Sequence, residues 1–171
     1  MAERCILGFN AGPPMEPRAY NNIVQLFQTS DHVVLLNEMV HDARIIPIDG
    51  RPHGTIRQWR GDSRGRWDGD TLVIDTVNFY TNTAFSERLG STPAMHLVER
   101  FRRIDADTIL YEFTVDDPAT WTKPWKAAIP MTRSHDRLYE YACHERNYAM
   151  PAMLAGARAD EAVEVQKAPK R

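Results

Sequence analysis

Three carboxylates interrupt apolar strand faces in this 171-residue chain, and such interruptions are where proton-transfer chemistry is most legible. Asp75 alternates with Val73, Val77 and Phe79, Glu38 with Val34, Leu36 and Val40, and Glu99 stands between Leu97 and Phe101. A carboxylate turned toward an apolar interior is costly to ionise unless paired, so its pKa rises, as general acid–base work requires. The competing reading puts the same residues at a rim or outer face, bonded to a neighbouring backbone group or arginine. Glu112, among Ile109, Tyr111, Phe113 and Val115, belongs to the solvent face. His41 lies with Asp42 and Arg44 at the kink of a long apolar stretch, and His53 in the turn that follows. Imidazole exchanges protons near neutral pH, and a bulge re-aims side chains. Asp75 or Glu38 is thus the candidate base, and His41 or His53 the candidate acid. Either histidine is equally readable as a structural residue.

Positive and aromatic residues that would hold a substrate cluster nearby. Arg60, Asp62, Arg64 and Arg66 with Trp59 and Trp67 form the densest polar-aromatic segment. Arginine pairs clamp carboxylates or phosphates and tryptophan supplies a stacking wall. Arg44 joins them as a binding candidate, and Tyr111, Trp125 and Tyr141 are further wall residues. The alternative is a salt-bridged loop lying over a barrel mouth. His32, His41, His53, His96, His135 and His144 show no close metal-ligand pair, so neither a metal nor a cofactor is expected. No phosphate loop, dinucleotide fingerprint or nucleophile elbow is present. Gly61-Asp62-Ser63 echoes an esterase signature, but its α/β context is missing and the match is chance.

The elements that must position these groups read as antiparallel strands. Ile23–Gln28 is β-prone, and His32 to Ile48 is too long for one ordinary strand. The latter is either a hairpin turning near His41-Asp42 or one strand bent by a bulge. Asp68-Gly69 predicts a type I′ turn leading into residues 70–79. Residues 81–95 read as a loop, 96–104 and 108–115 as paired strands, and Asp116-Asp117-Pro118 as a stop. Strands follow at about 126–133 and at 137–144, then an Ala-rich helix from Pro151 and a frayed tail over 167–171. The pattern predicts an all-β, antiparallel up-and-down β-barrel, lipocalin-like or allene-oxide-cyclase-like, with a C-terminal α-helix. The expected organisation is an irregular N-terminal segment over 1–22, a β-barrel domain over 23–150, and a helix and tail over 151–171.

Composition bounds the partners. Lys plus Arg total 21 against 23 Asp plus Glu, a net charge of −2 that argues against a nucleic-acid binder. No apolar run approaches roughly 18 residues, so no membrane insertion is expected. The first residues lack the basic start and apolar core of a signal peptide, which fits a cytosolic chain or a mature form. Cys5 and Cys143 either pair, closing almost the whole domain, or remain two free buried thiols.

The run Gly61-Asp62-Ser63-Arg64-Gly65-Arg66-Trp67-Asp68-Gly69-Asp70-Thr71-Leu72-Val73-Ile74-Asp75 resembles an uncharacterised family of acidobacterial and proteobacterial envelope proteins. Val24–Thr29, Asp49–His53, His96–Phe101, Asp116 through Trp125, and Tyr141–Glu145 are similar to segments of the same family, which covers residues 3 to about 155. The resemblance implies a periplasmic or secreted origin and favours a Cys5–Cys143 disulfide. It implies no activity.

Three functions remain open at this level. The leading expectation is a small-molecule-binding barrel working as a cofactor-independent lyase or isomerase on a small organic substrate, with Arg60 or Arg64 holding an anionic group. The second is a non-catalytic carrier of a small hydrophobic or aromatic ligand. The third is a protein-interaction module presenting loops 51–66 and 80–95, and a homo-oligomer is compatible with each.

Overall fold

Branched and aromatic runs become strands, and polar or glycine-bearing pairs turn the chain between them. The computed structural model describes residues 5–80, 92–145 and 148–167. In chain order these form β1 (Val24–Gln28), β2 (His32–Asn37), β3 (Asp42–Pro47), β4 (Asp62–Asp68) and β5 (Thr71–Val77). They continue with β6 (His96–Arg103), β7 (Thr108–Asp116), β8 (Trp125–Thr132) and helix α1 (Ala149–Lys167). Strands β1-β2-β3 make one antiparallel sheet and β4-β5-β6-β7-β8 another, each in sequence order.

The fold is therefore mostly β, with two antiparallel meanders and one C-terminal helix. Among the described residues the ladders do not run around a closed ring. Strand β3 packs beside β4 without joining its sheet, and β1 and β8 do not pair. Gly65 permits that close approach, because a Cβ there would stand 2.7 Å from Ile48 Cγ2 and 3.2 Å from Ile46 Cγ2. A single core fills the space between the sheets, from Val33, Leu35 and Ile46 on one side to Leu72, Ile74, Leu97, Phe101, Tyr111, Phe113 and Val115 on the other.

Local corrections have physical causes. The 32–48 stretch is a hairpin, closed by a 3-10 turn at Met39–His41 in which Val40 and His41 take φ of 52° and 43°. The β4–β5 turn is centred on Gly69-Asp70, one residue later than predicted. Only Gly69 has positive φ (62°), the type II′ pattern rather than I′. Residues 62–67, alternatively read as a salt-bridged loop over a barrel mouth, are strand β4. The predicted strand at 137–144 does not form. That segment is drawn toward the N-terminus by the Cys5–Cys143 disulfide and by Tyr141 stacking on Tyr20 at 6.5 Å. The expected loop over 81–91 and the tail over 168–171 lie outside the described residues.

One buried polar network crosses the core. Glu99, with no exposed surface, lies 2.8 Å from Arg44 Nη2, and Arg44 is itself 8% exposed. The two charges approach outside hydrogen-bond alignment, so the attraction is coulombic. The other carboxylate oxygen accepts a 2.7 Å bond from the Tyr111 hydroxyl, which in turn accepts one from Met15 N–H at 3.0 Å. Burial, then the neighbouring Glu99 charge, pushes the Tyr111 phenol well above its ordinary value, so it stays a donor.

Glu99→Gln strands the Arg44 cation in the core and should cost about 3–5 kcal/mol in urea unfolding. Adding Arg44→Met should recover most of that loss, since the substituted amide can still accept from Tyr111. The Cys5–Cys143 bridge spans 138 residues of sequence. Its reduction should lower unfolding free energy by about 2–5 kcal/mol, read from denaturation with and without reductant.

Candidate functional site

The inner faces of β5 and β6 carry Leu72, Ile74, Leu97 and Phe101, so alternation sends Asp75 and His96 to the opposite face. Asp75 therefore does not enter the core, contrary to the inward reading. In the ladder it stands opposite Arg64 on β4 and Val98 on β6, which places His96 diagonally across from it. The chain leaving β3 then folds over this face. Arg64 Nε donates to Pro52 O at 3.0 Å, Gly54 N–H to Asp62 Oδ2 at 2.7 Å, and Asn78 Nδ2 to Gly54 O at 2.7 Å. Those three bonds seat His53 above the sheet.

The result is an alternating row of carboxylates and imidazoles. Asp75 Oδ1 is 2.8 Å from His53 Nε2, and Asp75 Oδ2 is 2.7 Å from His96 Nε2. His53 Nδ1 lies 3.3 Å from Asp62 Oδ2, and Asp62 Oδ1 accepts from Arg64 Nη1. Asp62 is 6% exposed, whereas the His53 and Asp75 side chains are each 27% exposed and His96 is 45% exposed. Burial alone would raise the Asp75 pKa. The hydrogen bonds and charges of His96 and His53 outweigh it and hold the carboxyl below its usual value. That reverses the expected raised pKa: Asp75 is a carboxylate near neutrality and orients its partners instead of exchanging protons.

The two imidazoles differ in what remains free. His53 has a carboxylate at each ring nitrogen. His96 is held by Asp75 at Nε2, and its half-open ring turns Nδ1 away from that contact. A carboxylate on one nitrogen fixes the tautomer so that the other carries the lone pair. Among the described residues no group of three or more His, Cys, Asp or Glu is placed to hold a metal ion.

Of the residues expected from sequence, Asp75, His53 and Arg64 meet here. Glu38 and His41 lie in the β2–β3 turn, at the other end of β3 from His53. Glu38 is buried and its N–H donates to Ile23 O at 2.9 Å, while His41 is exposed. Arg44 and Tyr111 belong to the core network, and Arg60 pairs with Asp42 and with Gly12 O. Trp59 rests on Tyr80 at 4.8 Å, Trp67 is 47% exposed at the β4–β5 turn, and Trp125 packs edge-on to Phe113 and Trp121. Tyr141 stacks on Tyr20, and burial followed by that neighbour raises its pKa.

Sequence reasoning missed His96 and Asp62 as members of the cluster. His96 and Asp75 are 21 positions apart, and only the β5–β6 register brings them together. No family model, curated protein or solved structure matches the chain.

Asp75 contributes stability that is complete above its unfolded pKa, near 3.8, and is lost as pH falls through its lower folded value. The stability gap between wild type and Asp75→Asn should therefore shrink as pH falls from about 5 to below about 4. Urea unfolding across that range checks it, and a gap independent of pH would refute the ionised pairing.

Proposed function

We propose that this protein is a cofactor-independent acid–base enzyme acting on a small organic molecule by proton abstraction and return, the step shared by isomerases and many lyases. The observation that carries this reading is Asp75 holding His96 at Nε2 while the ring stays half open to solvent. His96 Nδ1 is the base in this scheme and Asp75 the group that sets its tautomer and stabilises the imidazolium formed. His53 and Asp62 are positioning residues that keep Asp75 in place, and Arg64 ties the covering loop while adding positive charge beside an anionic substrate. We read the two meanders as an up-and-down barrel, lipocalin-like or allene-oxide-cyclase-like, opened between β3 and β4 and between β1 and β8. The envelope-protein resemblance stands beside this as a proposed origin.

The test uses 5-nitrobenzisoxazole, whose ring opens when a base removes its C3 proton and the N–O bond breaks to release a phenolate. Wild-type protein should accelerate the release about 10²-fold or more over His96→Ala, the usual contribution of a positioned base. His53→Gln should retain the base but lower kcat more than it raises KM. Equal rates for wild type and His96→Ala across pH 5–9 would overturn the proposal.

A further inference from the structure

We propose that the cleft between the unpaired edges of β1 and β8 binds one small, uncharged, largely apolar organic molecule, at a site separate from the His96 cluster. The space measures about 1250 Å³, above the roughly 300–1,000 Å³ of ordinary small-molecule pockets. Its floor is built by both sheets: Leu35 from the smaller and the tilted aromatic pair Phe101–Tyr111, with ring centres 4.7 Å apart, from the larger. Leu26 on β1 and Ile129 and Met131 on β8 form facing apolar walls.

Charge at the rim selects against an ionic ligand. Three arginines (Arg103, Arg133, Arg137) are offset by three carboxylates (Glu16, Asp107, Asp136). Arg133 already faces Asp107 at 3.6 Å, and Arg103 is spent on the carbonyls of Asp105 and Ala106 at 3.0 and 2.5 Å. Tyr111 offers only its ring, because its hydroxyl is engaged by Glu99 and Met15.

One neutral polar group is uncommitted. Asn10, on the cleft wall and 6% exposed, has three acceptors around Nδ2: Tyr20 O at 3.3 Å, Asn21 O at 2.8 Å and Asn22 Oδ1 at 3.2 Å. That arrangement fixes which way the amide faces and leaves Oδ1 without a donor among the described residues. That acceptor has no exposed surface of its own, so the cleft's selectivity rests on its apolar walls and its charge-balanced rim.

This site cannot be the substrate pocket of His96. Phe101 and Arg103 lie toward the far end of β6 from His96, a separation of roughly 16–23 Å along the strand. Phe101 also faces the core, whereas His96 faces out.

The probe is N-phenyl-1-naphthylamine, neutral and carrying one N–H, titrated into the full-length protein and followed by its fluorescence. Saturable enhancement at one probe per chain is expected. Leu26→Glu, which places a charge on the wall at a 40% exposed position, and Ile129→Trp, which narrows the cleft against the opposite wall, should each weaken binding at least tenfold. His96→Ala should leave it unchanged. Anilinonaphthalene sulfonate, the anionic relative, should bind at least tenfold more weakly. Absence of saturation, indifference to Leu26→Glu in protein whose near-ultraviolet circular dichroism is unaltered, or tighter binding of the anion would each overturn the proposal.

Discussion

Glu99 carries a carboxylate with no exposed surface at the place where the two sheets face each other, and several parts of the chain converge to pair its charge and one of its oxygens. Arg44 answers its charge from β3, Tyr111 answers its second oxygen from β7, and Met15 N–H completes the tyrosine from the N-terminal segment. Four separate pieces of chain are thereby fixed to one point. Because β3 and β4 share no ladder, this tie and the Gly65 contact are what register the small sheet against the large one. A neutral apolar substitute could pack in the same space, whereas the charged pair adds a direct contact between β3 and β6. The same tie leaves Tyr111 presenting an aromatic face to the seam, which gives the cleft its floor.

Satisfying the inside also determines where chemistry is possible. A buried carboxylate that already has a guanidinium and a phenol offers nothing to a substrate. The outer face is different, because the residue opposite Asp75 on β4 is an arginine and the diagonal residue on β6 is a histidine. The segment crossing above them closes the set with His53, so neither carboxylate of the row is unpaired, and while Asp62 is buried, Asp75 and both imidazoles stay partly exposed. That partial exposure, with fixed partners, is the environment in which an imidazole can change protonation state while its position is held.

How much of this is legible in the sequence follows from the range of each signal. Alternation and turn chemistry are local, so the sequential meander and the C-terminal helix can be read directly, while the 32–48 stretch reads equally as a hairpin or as one bent strand. Closure is not local. Nothing in Val24–Gln28 or Trp125–Thr132 says that those two edges stay apart. Asp75 stands out because it breaks an apolar run, but both faces of β5 are apolar: Val73 is as buried as Ile74, so the run cannot tell inside from outside. Glu38 and Glu99 break their runs in the same way, yet they pin backbone and core. His96 stays hidden because its neighbours on its own strand are Leu97 and Val98, and its one telling neighbour lies across a hairpin.

Strand β6 makes the separation of roles physical. Three of its positions point to three different surroundings: His96 outward at one end, Glu99 inward at the middle, and Phe101 inward beside the seam. A central strand paired on both edges is stiff, and its alternation cannot be changed without turning every side chain to the wrong face. The outer row and the seam share no side chain, and sites more than about 10 Å apart without common partners respond to substitution almost additively. Glu99 is the exception, because it supports Tyr111 under the seam and anchors the strand that carries His96. Disturbing it therefore reaches both places, whereas a change at either end of the strand stays where it is made.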